Sequence, residues 1–204
     1  VVLEDLDVAS GVLAGKNPLT PWGYRISKEW VEGMLPTRPA SAHKGVAGGL
    51  LIIGGGVGMT GAPVLAGRAA LRSGAGRVTI GCHPDNQTST ASHTPELMVV
   101  GLRTPRQLKD LLARSDAVVI GPGLGQDAWA KEVYSTSRDY DVRKVLDADA
   151  LNLLAARPVE VRSAVLTPHP GEAGRLGKMD TSKVQGNRPA VAETLAAQLG
   201  EVCV

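Results

Sequence analysis

Leu50-Leu51-Ile52-Ile53-Gly54-Gly55-Gly56-Val57-Gly58-Met59-Thr60-Gly61-Ala62 begins as an apolar run of strand length and turns into a stretch with five glycines in eight positions, 54–61. Pro63 then stands where a helix would open and Gly74 where it would close, so the segment reads as strand, glycine loop and helix. Gly56, Gly58 and Gly61 have GxGxxG spacing, which lets backbone N–H groups approach an anion at the helix amino terminus. The spacing therefore marks these three glycines as a candidate phosphate cradle. No Lys-Ser/Thr pair follows, so the loop is not a P-loop.

The same alternation continues outward from this segment. Strands are expected at 50–54, 77–81, 117–121, 144–147, 164–167 and 201–204, separated by helical spacing at 62–73, 104–114, 127–137, 150–156 and 188–199. A further short helix, 27–35, starts on Ser27 as its cap and stops before Pro36 and Pro39. Alternating β and α units predict an α/β domain with a mostly parallel sheet flanked by helices. Residues 1–24, broken by Gly11, Gly15, Pro18, Pro21 and Gly23, read as a tail or interdomain linker, and 25–204 as the folded domain.

Composition narrows the function classes. The 204 residues carry 22 basic and 20 acidic side chains, and the small excess gives no phosphate-neutralising face for nucleic acid. Three Trp, three Tyr and no Phe leave few platforms for stacking bases. No apolar stretch approaches bilayer length, and the acidic start, Val1 to Asp7, is unlike a signal peptide, so a soluble cytoplasmic protein is expected. Cys82 and Cys203 form no paired pattern.

The unusual residues all follow the expected strands: 54–61, Cys82-His83-Pro84-Asp85, Pro122-Gly123-Leu124-Gly125, Asp147-Ala148-Asp149-Ala150-Leu151-Asn152, and Pro168-His169-Pro170-Gly171-Glu172. In a parallel sheet those ends share one rim, where ligands bind. Gly121 to Gly125 offers a second backbone platform. Asp147, at a strand tip, suits a ligand hydroxyl or a hydrated Mg2+, while Asp149 is balanced between ligand contact and helix capping. His169 and Glu172 lie three apart in a loop stiffened by two prolines. Arg175 is one turn beyond, positioned to pair with Glu172. His43, His83 and His93 show no partner pattern. There is no nucleophile elbow, HExxH or Cys-His arrangement.

Several stretches together, His43-Lys44-Gly45, Gly54 to Ala62, Ala69 to Gly76, Pro95-Glu96-Leu97-Met98, Gly121 to Gly125, Asp147 to Leu154 and Thr167 to Glu172, resemble the ADP/ATP-dependent NAD(P)H-hydrate dehydratase family over residues 36–204. The resemblance implies a ribokinase-like fold and a metabolite-repair reaction in which (6S)-hydrated NADH or NADPH is dehydrated at the expense of ADP or ATP, supported by Mg2+. Nucleotide phosphorylates the extra ring hydroxyl, and the ring nitrogen then expels phosphate. Carried over by motif, Ala62, Gly123, His169 and Glu172 contact the hydrated dinucleotide, and Asp147 and Asn152 line the same rim. Family members continue from the strand at 201–204 to a Gly-Ser-Gly-Asp type loop that holds nucleotide phosphates and supplies the catalytic base. These 204 residues lack it, so the resemblance implies a domain without its C-terminal part, with no catalytic base assigned and little activity alone. Residues 1–24, with Ala14-Gly15-Lys16-Asn17-Pro18-Leu19, resemble the connector after an epimerase domain in bifunctional members.

Three other readings stand beside it: an NAD-dependent oxidoreductase using Gly56, Gly58 and Gly61, a non-catalytic dinucleotide-binding remnant, and a sugar or vitamin kinase of the same superfamily. The first lacks the acidic residue expected after the second strand, and the last lacks the Thr167 to Glu172 motif. The sequence leaves homo-oligomerisation open.

Overall fold

The computed structural model describes residues 26–35, 45, 47–199 and 202–204. The chain divides into two units, Val1–Ala40 and Ser41–Val204. In the first, helix α1 (Lys28–Met34) starts on Ser27, whose hydroxyl accepts from the Trp30 N–H at 3.2 Å, as its sequence predicts. The expected linker, His43-Lys44 and the start of the last strand at Glu201 lie outside the described residues.

In the second unit the elements run β1 (Gly49–Ile53), α2 (Gly61–Arg72), β2 (Arg77–Cys82), a 3-10 turn (Pro84–Asn86), α3 (Gln87–Ala91), β3 (Met98–Gly101), α4 (Pro105–Leu112), β4 (Ala117–Ile120), α5 (Ala128–Arg138), β5 (Arg143–Leu146), α6 (Asp149–Ala156), β6 (Ala164–Leu166), α7 (Pro170–Gly177), α8 (Thr181–Gly186), α9 (Arg188–Leu199) and β7 (Val202–Cys203). Seven strands form one sheet in the order β3-β2-β1-β4-β5-β6-β7. Every neighbouring pair is parallel, with Ile52 opposite both Ile80 and Val119 at the centre.

Alternation along β1 decides which helices cover which face. Ile52 packs with Val64 of α2 and with Val78, Ile80 and Cys82 of β2. Its neighbours Leu51 and Ile53 point the other way, into a cluster with Leu108 and Leu112 of α4, Val133 of α5 and Leu151 and Leu154 of α6. A strand buried on both faces needs a continuous apolar run rather than alternation, which is why Leu50 to Ile53 reads as it does. Each such fully buried side chain contributes about 1.5–3 kcal/mol through desolvation. Because β2 and β3 lie on one side of β1 and β4 to β7 on the other, chain direction across the sheet reverses between β1 and β4. That is a topological switch point, with a crevice at the carboxyl ends.

Several elements escape the sequence reading, among them α3, α8, β3 and α7. β3 is only four residues, Met98–Gly101, too short for its pattern to separate it from loop. Helix α7 was hidden by Pro168 and Pro170, expected to stiffen a loop; Pro170 is instead the first helical residue, where its missing N–H costs nothing.

One core group has a titration consequence. Tyr134 is buried with its hydroxyl lacking a hydrogen-bond partner among the described residues, and burial pushes its pKa up to about 12 despite the Arg138 guanidinium 5.5 Å from the ring. A phenol whose folded-state pKa is raised stabilises the fold below its unfolded value near 10, and that contribution is lost as pH rises through the folded value. Urea unfolding should therefore show the wild type losing about 2 kcal/mol between pH 9 and 12 that Tyr134→Phe does not lose. Equal losses in both proteins would refute this.

Candidate functional site at the carboxyl rim

The loop after β1 and the loop after β4 meet at the switch point. Gly54 N–H donates to the Gly81 carbonyl (3.1 Å), Gly55 N–H to Pro122 (3.2 Å) and Gly56 N–H to Gly123 (2.7 Å). Gly56 is buried, and a β-carbon there would collide with the Leu124 carbonyl. Its amide is thus taken up by the neighbouring loop, and its lack of a side chain serves loop–loop contact. Gly58, with φ +78°, and Gly61 face open space. The N–H groups of Gly58, Gly61 and Ala62 find no acceptor among the described residues, which leaves the amino terminus of α2 open. Gly123, with φ +58°, sits against this end: a β-carbon there would lie 2.9 Å from the Met59 carbonyl oxygen and 3.3 Å from the Ala62 methyl.

A hydrogen-bonded thread then crosses three rim loops. The Gly125 N–H donates to Asp149 Oδ2 (2.8 Å), Asn152 Nδ2 donates to Asp149 Oδ1 (3.3 Å), and Arg175 Nε donates to Asn152 Oδ1 (2.9 Å). Asp149 therefore does not cap its own helix; it holds the β4 loop. Arg175 belongs to Asn152 rather than to Glu172, correcting the pairing expected from helical spacing. The residue that aims this turn is Ala148, at φ 47° and ψ −115°, a conformation L-residues rarely adopt. Such strain persists only where its surroundings hold it, and it clusters at functional sites. Nothing in the residue type signals it.

Asp147 directly follows β5, with Oδ1 accepting from the Thr167 hydroxyl at 3.0 Å, and its Oδ2 has no partner among the described residues. His169 is the cap of α7. Its Nδ1 accepts from the Gly171 N–H (3.0 Å), which places the ring proton on Nε2, 3.2 Å from Glu172 Oε1. Glu172 Oε2 accepts from the His169 N–H at 3.0 Å, completing a capping box. The Glu172 side chain is 7% exposed and that of His169 62%, so the carboxylate is a buried brace and the imidazole faces solvent. His83 is braced elsewhere, edge-on to Trp129 at 5.2 Å.

Among the described residues no three His, Cys, Asp or Glu side chains converge as a metal cage. An Mg2+ that arrives on nucleotide phosphates keeps most of its waters and needs no such cage. None of the described helices is long and apolar enough to cross a membrane.

The domain that carries this rim matches known proteins over most of its length. The model of the NAD(P)H-hydrate dehydratase family matches residues 50–204. The chain belongs to that family. The bifunctional NAD(P)H-hydrate repair enzyme Nnr of Coxiella burnetii is 46% identical over 162 residues, covering 78% of this chain and 33% of that protein. The ADP-dependent (S)-NAD(P)H-hydrate dehydratase of Lactiplantibacillus plantarum is 37% identical, covering 88% and 65%. Among solved structures, the ADP/ATP-dependent NAD(P)H-hydrate dehydratase of Bacillus subtilis co-crystallized with ATP/Mg2+ superposes with TM-score 0.75 at 34% identity, covering 87% of this chain and 64% of the other. A ribokinase-like superfamily protein of Enterococcus faecalis gives TM-score 0.78 at 28% identity, covering 88% and 64%. The expected ribokinase-like parallel fold is thus confirmed. The chain spans about a third of the length of the bifunctional relatives it matches.

Proposed function

We propose that this rim binds (6S)-hydrated NADH or NADPH and serves its dehydration at the expense of ADP or ATP, in the cytoplasm and alongside a linked epimerase. The observation that carries this reading is the convergence, at one switch point, of loops from β1, β4, β5 and β6 that are far apart in sequence, joined by the Gly125–Asp149–Asn152–Arg175 thread. The amides of Gly58, Gly61 and Ala62, without an acceptor among the described residues, suit a phosphate of the dinucleotide, and Gly123 lets the β4 loop pack closely against this helix end. Asp147 Oδ2 suits a hydroxyl, Asn152 is held by Arg175, and the exposed His169 imidazole, fixed by Glu172, contacts the hydrated ring or its ribose. The residues described bind and orient the dinucleotide; none is assigned as the catalytic base, and the nucleotide and its Mg2+ arrive as co-substrate.

The oxidoreductase alternative is weakened at the first of its three glycines, because the Gly56 amide donates to the Gly123 carbonyl. Titration calorimetry tests the proposal. Hydrated NADH should bind more tightly than ordinary NADH, and His169→Ala should weaken the hydrated form about tenfold, as expected for loss of one or two hydrogen bonds. Binding of ordinary NADH alone would favour the oxidoreductase, and binding of neither form would end the proposal.

A further inference from the structure

An open concavity of about 510 Å3 is lined by Gly171, Gly174, Arg175, Lys178, Asp180 and Lys183, among others. It is built by a tight reversal of the chain after α7. Lys178 adopts the left-handed conformation (φ 51°), and the Met179 N–H donates back to the Gly174 carbonyl at 2.9 Å. That reversal sets Lys183 of α8 facing Arg175 and Lys178 at the end of α7. Three cations thus line one hollow with a single carboxylate, Asp180, and no ion pair joins Asp180 to any of them among the described residues. Three like charges against one carboxylate repel one another, which an anionic ligand would relieve.

Arg175 is the ordered member of the trio. Its Nε is taken by Asn152, so the guanidinium is oriented, and its terminal nitrogens remain for a ligand. A β-carbon at Gly171 would lie 2.9 Å from His169 Cε1 and 3.8 Å from Arg175 Nη1, so imidazole and guanidinium flank the same backbone atom. A ligand held at His169 therefore reaches this hollow without crossing the fold.

We propose that Arg175, Lys178 and Lys183 form a subsite for a phosphomonoester dianion, the 2′-phosphate that distinguishes hydrated NADPH from hydrated NADH. Three cations less one carboxylate leave two net positive charges, matching the charge of about −1.5 to −2 on such a group at neutral pH. The inference rests on the dinucleotide-binding reading of the rim and adds a selectivity to it.

Calorimetry of the full chain with hydrated NADPH, hydrated NADH, 2′,5′-ADP and 5′-AMP tests it. Lys178→Gly suits the left-handed backbone while removing the charge, and Lys183→Gln keeps most of the side-chain volume. The wild type should bind hydrated NADPH about tenfold more tightly than hydrated NADH, and the double variant should lose that preference while binding hydrated NADH unchanged. 2′,5′-ADP should weaken in parallel, and 5′-AMP should not. Equal wild-type affinity for the two hydrates, or an equal loss of both in the variant, overturns the subsite. Lysine-dependent binding of 2′,5′-ADP without binding of either hydrate would keep the subsite and overturn the dehydratase reading. Absence of all binding overturns both.

Discussion

Gly121→Ala is expected to cost the fold about 4 kcal/mol or more, lowering Tm by about 8–16 °C at the usual scaling for a domain of this size, or to leave the protein insoluble. Gly121 has φ +127°, where an L side chain is strained, and a β-carbon there would overlap the Asp147 carbonyl oxygen and approach the Ala150 methyl at 3.0 Å. Neither neighbour can retreat. The Asp147 carbonyl accepts from the Ala150 N–H, the Asp147 N–H donates to Ile120, and Gly121 N–H donates to Ile53, so the end of three strands would have to move together. Gly58→Ala is the control: its φ is also positive, at +78°, but open space surrounds it, so strain alone should cost about 1–2 kcal/mol. Urea denaturation of both variants compares them directly. A Gly121→Ala protein no less stable than Gly58→Ala would refute the tight-contact account.

Glu172→Ala carries the second large effect because one buried carboxylate serves two purposes. It accepts from the His169 N–H at the start of α7, and its Oε1 lies 3.2 Å from Nε2 of the imidazole. Removing it should destabilise the domain by about 2 kcal/mol, combining a lost cap with an unpaired N–H. It should also weaken hydrated NADH binding as far as His169→Ala does, because a freed imidazole samples rotamers that miss the ligand. In a double-mutant cycle, removing both should weaken binding no further than either alone. Additive losses would show that Glu172 meets the ligand independently of His169. Glu172→Gln separates the two roles: its carbonyl oxygen still caps the helix, but its NH2 faces the Nε2 proton, so stability should be kept while binding falls.

Much of the architecture was legible in one dimension. A parallel sheet buried on both faces demands unbroken apolar runs, and those at Leu50 to Ile53 and Ala117 to Ile120 announced themselves. The glycine, aspartate and histidine clusters fell just after such runs because only loops at strand ends escape the ladder. β3 was lost because four residues hold too little periodicity, and α7 because proline is informative only once its place relative to a helix start is known.

What the chain order alone determined, then, was the alternation of strands and helices, the rim to which the unusual residues belong, and the family. Only the tertiary structure decided which donor meets which acceptor. Gly56 spends its amide on Gly123, Asp149 reaches Gly125, and Arg175 turns from the nearby Glu172 to Asn152, which lies 23 residues away. Spacing along a helix predicts proximity only within that helix, whereas these partners are brought together by the stacking order of β1, β4, β5 and β6, which no local pattern encodes.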